Sequence, residues 1–414
     1  MVKILIFINS LLMVISSMFG FNFTPRALQL NAEKLGSAAA ASAAVRMEEG
    51  KINGAHAIVK QNGVTLLDET YGSSDAEGTP LQADATYRIA SMTKPVTAVA
   101  LLIEQDRGHL NIEDDLSKYL PAFAEMYIVK TDSEGKPMTD ENGNAIKGEK
   151  ATNSIKLYQL VSHTSGVGEV ELKKAGGSQC TVETACAFLA EQPLHYNPGT
   201  SQEYSTGAFD VAARVIELTS GMEFSEYIKV NIFDKLGMTD TTFEPNESQW
   251  NRMVAIHGRT DDGKAYDVPF TEGCVFGSFP VTYHAAGAGL CSSTYDYAKF
   301  AQMLANDGVG ENGVRVLSPE AVKQMRTPVA GQPAGGDTQW GLGVRVIVKM
   351  GNTLPVGSFG WSGAYGSHFW IDTMNHVSAV YMKNSAYDGG AGNSSASEFE
   401  KDVMNSFSLK FLSE

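Results

Sequence analysis

The chain has 414 residues, of which 43% are hydrophobic and 19% charged, a balance that lets it bury one large core or two closely packed subdomains and excludes a disordered chain. Its 47 acidic residues outnumber 32 basic ones for a net charge of −15, which repels phosphate backbones and anionic lipid and argues against nucleic acid as a partner. The four cysteines, Cys180, Cys186, Cys274 and Cys291, lack Cys-x-x-Cys spacing, and the eight histidines form no His-Glu-x-x-His cluster. No metal is therefore expected. Cys180–Cys186 and Cys274–Cys291 disulfides remain open beside buried free thiols.

In chain order, residues 1–23 come first: Lys3 precedes two apolar runs, Ile4–Ile8 and Leu11–Ile15, separated by Asn9 and Ser10, which weaken a spanning helix, and followed by Ser16 and Ser17. That order fits a secretory signal, and so an exported protein, periplasmic or secreted. Because the apolar character continues to Phe21, an uncleaved membrane anchor is the competing reading, and a cytoplasmic location is not excluded by the sequence. The folded domain is expected over 24–414. Residues 27–49 are Ala-rich and helix-prone. His56–Val59 and Val64–Leu67 then flank Gln61-Asn62-Gly63, the signature of a β-hairpin. From Ser91 to Gln105, Val96, Val99, Leu102 and Ile103 recur at helical spacing, so Ser91 is expected at the start of a helix.

Residues 130–150 are polar and Gly-containing and read as a surface hairpin or loop inserted in the domain. Helical patterns return at 157–161, 208–219, 224–236 and 294–307. A short helix after Pro319 leads into strand-like runs at 340–348, 366–371 and 377–382, and a closing helix is expected at about 397–411. No internal repeat is found. Strands at both ends with helices between predict an α+β fold: an antiparallel sheet built from the N- and C-terminal parts (about 24–90 and 315–414), flanked by helices, with a mainly helical region (about 91–314) inserted.

The residue pattern with chemical content is Ser91-Met92-Thr93-Lys94. In the first turn of an apolar helix, i and i+3 side chains are neighbours. A hydroxyl is a weak nucleophile, so an adjacent amine that takes its proton, or supports a base that does, is what acyl transfer requires. Ser-x-x-Lys alone is weak, because roughly one or two matches arise by chance in a chain of this size. Ser133-Glu134-Gly135-Lys136 is such a match, but it lies in the polar insertion, where Gly135 and Pro137 prevent a rigid shared face. Context selects Ser91.

Downstream lie Leu160-Val161-Ser162-His163-Thr164-Ser165-Gly166, Pro198-Gly199-Thr200, Tyr204-Ser205-Thr206, Gly287-Ala288-Gly289-Leu290-Cys291-Ser292-Ser293 and Phe359-Gly360-Trp361-Ser362-Gly363. With Ser91–Lys94, and in this order, these segments resemble the class C β-lactamase-like serine hydrolases and most of all the family VIII carboxylesterases, over most of residues 50–385. The resemblance implies a β-lactamase/penicillin-binding-protein-like fold. It makes Ser91 the acyl-accepting nucleophile, Lys94 its partner and Tyr204 the general base, with no cofactor. Whether Lys94 or Tyr204 removes the proton is left open. It also implies an oxyanion site from the backbone N–H groups of Ser91 and Ala364, and places Trp361, Ser362, Gly363 and Thr206 against the substrate.

Two departures from the lactamase pattern bear on substrate. Trp361-Ser362-Gly363 stands where Lys-Thr-Gly would be, removing a cation suited to a substrate carboxylate, and Thr206 replaces the Asn of Tyr-x-Asn. Both favour a neutral small-molecule ester, and the function expected is hydrolysis of short-chain or aryl carboxylic esters. A β-lactamase, a D-amino-acid peptidase or an acyltransferase would use the same chemistry; a non-turning-over penicillin-binding-type protein or a silent scaffold is the alternative of another class. Gly360-Trp361-Ser362-Gly363-Ala364 nearly matches Gly-x-Ser-x-Gly, but the strand-like residues after it speak against a nucleophile elbow. His163 is expected to be a structural turn residue.

Overall fold

The computed structural model describes residues 28–268, 282–329, 336–388 and 394–409. The N-terminal segment 1–23 and Cys274 lie outside them. Hairpin formation around Asn62-Gly63 is as expected: β1 (Gly54–Gln61) and β2 (Val64–Gly72) pair antiparallel, and Asn62 (φ 52°) and Gly63 (φ 77°) both take the left-handed conformation that a tight hairpin turn demands. Five C-terminal strands complete a seven-stranded antiparallel sheet: β3 (Thr338–Trp340), β4 (Arg345–Ile347), β5 (Phe359–Ser362), β6 (His368–Asp372) and β7 (Val377–Met382). Their order is β3-β4-β5-β6-β7-β1-β2. The N-terminal hairpin is thus joined to the C-terminal strands through the β7–β1 pair, with Ala379 opposite Val59.

Strand parity gives the sheet two apolar faces. Phe359, Trp361, Phe369, Ile371, Val380 and Met382 join the large core shared with the helical region. Trp370, Val377, Ala379 and Tyr381 join a second core beneath α1 (Ala32–Glu48) and the closing helix α5 (Ser394–Asn405). On the first face lie α2 (Thr93–Asp106), α3 (Gly207–Ser220) and α4 (Thr294–Ala305). Every residue of α2 from Thr93 to Glu104 is buried, so this helix is fixed by packing all round rather than by one amphipathic stripe.

The structure differs from the sequence expectation in four places. Residues 340–348 form a hairpin rather than one strand, because Gly341–Val344 turn back on themselves through a Gly341 N–H to Val344 O bond. Gly343 (φ 71°) lets that turn press on α2, where a Cβ would lie 2.9 Å from Lys94 O. The helix over 224–236 is interrupted by a π turn at Lys229–Phe233. The closing helix stops at Asn405, and Phe407–Leu409 instead pairs with Leu28–Leu30. α4 packs on β1, β6 and β7, so it belongs to the sheet part rather than to the helical insertion. The insertion at 130–150 holds two successive tight turns of one short pattern, Thr131-Asp132-Ser133-Glu134-Gly135 and Thr139-Asp140-Glu141-Asn142-Gly143. In each, the Asp N–H donates to the carbonyl four residues on, and the Asp carboxylate accepts two backbone N–H groups. Cys180, Cys186 and Cys291 are buried free thiols.

Candidate active site

Ser91 sits in a 3-10 turn, Ala90–Met92, that feeds directly into α2. The preceding Ala90 has φ +44°, a conformation a residue with a Cβ adopts only when its surroundings impose it. Here they do. Ile89 N–H donates to Leu290 O at 3.1 Å, Thr93 Oγ1 donates to Ala90 O at 2.8 Å and accepts from Leu290 N–H at 3.1 Å, and Tyr297 OH donates to Met92 O at 2.7 Å. The Gly287–Ser293 segment is therefore the clamp that aims the serine.

Lys94 follows one turn later and is wholly buried. Its ammonium donates to Gly287 O at 2.8 Å, Ser91 Oγ at 3.3 Å and Thr206 Oγ1 at 3.3 Å, using its three N–H groups on three oxygens. Gly287 can approach so closely only because it has no side chain: a Cβ would lie 2.6 Å from Thr206 Cγ2. Tyr204 OH donates to Ser91 Oγ at 2.7 Å, and Lys94 Nζ stands 4.6 Å from the centre of the Tyr204 ring. Ser91, Lys94, Tyr204 and Thr206 thus form one hydrogen-bonded cluster at the edge of the buried core.

His163 does more than turn the chain. It is fully buried with φ +61°, and its carbonyl accepts from Tyr196 OH and Glu203 N–H. Its ring stacks on Tyr204 with centroids 4.5 Å apart and planes 29° apart. Nδ1 accepts from Ser205 N–H at 3.0 Å, which puts the proton on Nε2. Burial first, then the positive charges of Lys94 and Arg345, hold its pKa well below the usual imidazole value, so the ring is neutral. Sequence reasoning missed Glu169 altogether: its carboxylate accepts from Thr206 N–H at 2.7 Å and Gly207 N–H at 3.2 Å, capping α3 where Thr206 meets Lys94. Nothing local in the sequence points to a cap 37 residues upstream.

Opposite lies β5. Gly363 fits against the serine turn, where a Cβ would come within 2.4 Å of Ile89 O. Gly363 N–H donates to Ser367 O on the β6 side, and Ala364 follows in the tight turn closed by Gly366 N–H to Gly363 O, beside the serine turn. β4 covers only Phe359 and Gly360 of β5, leaving the edge on its side free from Trp361 onward. At the serine, the first i→i−3 bond of the 3-10 turn is made by Met92 N–H, which leaves the Ser91 N–H outside the helical ladder. Trp361 lies 5.8 Å from Tyr204 and 4.3 Å from Trp340 between ring centroids, forming an aromatic wall with them. Ser362 is not part of this wall. It faces the other side of the sheet and hydrogen-bonds His368 Nδ1 at 2.8 Å, which corrects its expected place against the substrate. The alternation in Phe359-Gly360-Trp361-Ser362 was the available signal. Among the described residues, no group of three or more His, Cys, Asp or Glu side chains converges on a common point that could hold a metal.

A hydroxyl bonded to a phenol and to a buried amine side chain, facing an open strand edge, is equipment suited to acyl transfer. Accordingly, the β-lactamase family model matches residues 39–397. The chain belongs to the β-lactamase family and is a β-lactamase-like serine hydrolase with the affinity to family VIII esterases that its motifs imply. Among individual proteins, it is 28% identical to protein Rv1367c of Mycobacterium tuberculosis, over 81% of this chain and 86% of that one. It is 26% identical to esterase EstB of Burkholderia gladioli, over 89% and 95% of the two chains. Its fold is that of EstCE1, described as a hydrolase with promiscuous acyltransferase activity, with a TM-score of 0.73 at 20% identity, covering 90% of this chain and 99% of that one.

Proposed function

We propose that the protein is a serine carboxylesterase that hydrolyses short-chain or aryl esters through an acyl-enzyme on Ser91. The observation that carries this reading is the pair of contacts on Ser91 Oγ, Tyr204 OH at 2.7 Å and Lys94 Nζ at 3.3 Å. The reactive state is the one in which the Tyr204–Lys94 pair holds one proton fewer, as phenolate with ammonium or phenol with amine; Ser91 Oγ then attacks the ester carbonyl and its proton fills that vacant place on the pair. The oxyanion is held by the Ser91 and Ala364 N–H groups. Collapse breaks the C–O bond, and the proton is returned to the departing alkoxide. Water then repeats the sequence on the acyl-enzyme, releasing the acid and restoring Ser91.

The substrate preference rests on the wall formed by Trp361, Trp340 and Tyr204, apolar where a lactamase pattern would place a lysine. EstB's description as an esterase supports the same reading. The acyltransferase activity ascribed to EstCE1 supports a second outcome for the same intermediate, transfer to an added alcohol in place of water. Turnover of p-nitrophenyl butyrate beside the chromogenic cephalosporin nitrocefin is the test. Fast ester cleavage with slow nitrocefin cleavage is expected; comparable rates would overturn the ester preference, and no turnover of either would favour a non-turning-over binding protein.

A further inference from the structure

Behind the catalytic strand is a hollow of about 340 Å³ that the hydrolytic chemistry does not use. It lies on the sheet face opposite Ser91: Arg345 pairs with Gly360 and Gly360 with Trp370, so β4, β5 and β6 present these positions, with Ile347, Ser358 and His368, on one side. At one end, polarity is already matched. Ser362 Oγ bonds His368 Nδ1 at 2.8 Å, and His368 Nε2 bonds Glu400 Oε1 of α5 at 2.9 Å.

At the other end it is not. Arg345 lines the hollow and has no carboxylate partner among the described residues; it stands over the Trp340 ring and reaches Thr338 O at 3.5 Å. Burial lowers its pKa, the mark of a guanidinium that has lost water without gaining an anion. Ser358 Oγ and Trp370 Nε1, both in the wall and buried, also have no hydrogen-bond partner among the described residues. A cation and two unmatched polar groups, each able to donate, beside Ile347, Leu354 and Trp370, form an environment short of acceptors and rich in apolar surface.

We propose that this hollow binds a small organic carboxylate with an aryl or branched apolar body, its carboxylate on Arg345 and its body over Gly360 towards Trp370. An arginine in a partly buried wall suits a planar carboxylate because its fork can donate two parallel bonds. The site backs onto the Ser91 cleft, with Trp361 in its lining and Trp340 under Arg345, but it does not depend on the chemistry proposed there.

The test uses the full chain labelled with 5-fluorotryptophan, its four tryptophan resonances assigned by single Trp→Phe changes, and sodium 4-phenylbutyrate as the probe. Trp370 reports the hollow; Trp340 and Trp361 border the Ser91 cleft, Trp340 also lying under Arg345 and Trp361 also lining the hollow, so only Trp370 serves as the reporter specific to the hollow. A saturable shift of the Trp370 resonance is expected, unchanged in Ser91→Ala and abolished in Ile347→Trp, which fills the space. Affinity should fall about ten-fold or more in Arg345→Gln, and likewise when neutral 4-phenylbutyramide replaces the acid in the unaltered protein. A Trp370 resonance unmoved at about 10 mM acid, a weak-ligand concentration, would overturn the proposal, as would movement confined to Trp340 and Trp361. Equal responses to acid and amide would also overturn it, by showing an apolar hollow without carboxylate recognition. None of these results bears on ester turnover at Ser91.

Discussion

The chain contains the same tetrad twice, and the two copies meet opposite fates. In Ser91–Lys94 the lysine is wholly buried and its ammonium is shared among three oxygens, one of them the serine's. In Ser133–Lys136 the lysine side chain is 73% exposed and pairs with Glu134, itself 69% exposed. A surface pair of that kind contributes little, at most about 1 kcal/mol. The difference comes from what surrounds the tetrads: the first opens a helix buried on every side and clamped by the Gly287–Ser293 segment, whereas the second is one of two short turns held by aspartate carboxylates. Spacing brings the residues near each other; burial sets what the lysine must bond.

The largest expected effect separates the copies directly. Ser91→Ala should lower ester kcat/KM by at least about 10³-fold, since among the described residues only the Ser91 hydroxyl bonds both Tyr204 OH and Lys94 Nζ, Thr206 Oγ1 reaching Lys94 alone, while Ser133→Ala should stay within about two-fold. Equal losses, measured with p-nitrophenyl butyrate, would abolish the distinction. Next comes Tyr204→Phe, which keeps the ring against His163 but deletes the 2.7 Å bond to Ser91 Oγ. A loss of about 10²- to 10⁴-fold in kcat with little change in KM is the expectation for a residue that handles the proton. An effect confined to KM would reduce Tyr204 to part of the wall.

How far this arrangement is legible in the sequence depends on the range of the interactions. The Asn62-Gly63 hairpin and the helix from Ser91 are local, and their turn residues and periodicity announce them. The motifs placed Ser91, Lys94, Tyr204 and Thr206 together only through family resemblance, since no spacing rule brings residue 204 to residue 91. Ser362 was misplaced although the alternation of Phe359 and Trp361 with Gly360 and Ser362 was there to read. The turn at Gly341–Val344 was likewise marked by two glycines inside a β-rich run. Glu169 and the stacking of His163 on Tyr204 could not be read at all: both depend on where distant segments meet.

His163 offers a smaller and sharper test. Its neutral ring supports Tyr204, accepts from Ser205 N–H, and makes no bond to Ser91. His163→Leu should therefore lower kcat by about ten-fold through misplacement of the phenol. Because the imidazole is held neutral across the working range, the loss should be the same at every pH, and the limbs of the kcat profile should keep their positions. Disappearance of a limb would make His163 an acid or base in the reaction rather than a positioning residue.

The smallest effect concerns stability rather than rate. Asp210 of α3 is wholly buried and accepts from Tyr283 OH at 2.5 Å and Ala286 N–H at 2.8 Å, just ahead of the Gly287 carbonyl that holds Lys94. Burial raises its pKa to about 7, against the counteracting hydrogen bonds. The folded state therefore keeps a proton that the unfolded chain releases near 3.8. The stability this contributes is complete below that value and is lost as pH rises to about 7, at a slope of about 1.4 kcal/mol per pH unit. Asn at this position cannot ionise and is nearly isosteric. The melting temperature of Asp210→Asn relative to the unaltered protein should thus climb by about 2 °C per pH unit between pH 4 and 7 and level off above it. Comparing the two chains at each pH cancels every other titrating group. A difference that stays flat across this range would mean that Asp210 is already ionised, its charge balanced by Lys94, and the buried lysine of the first tetrad would then have a carboxylate counterion that the second tetrad finds only at the surface.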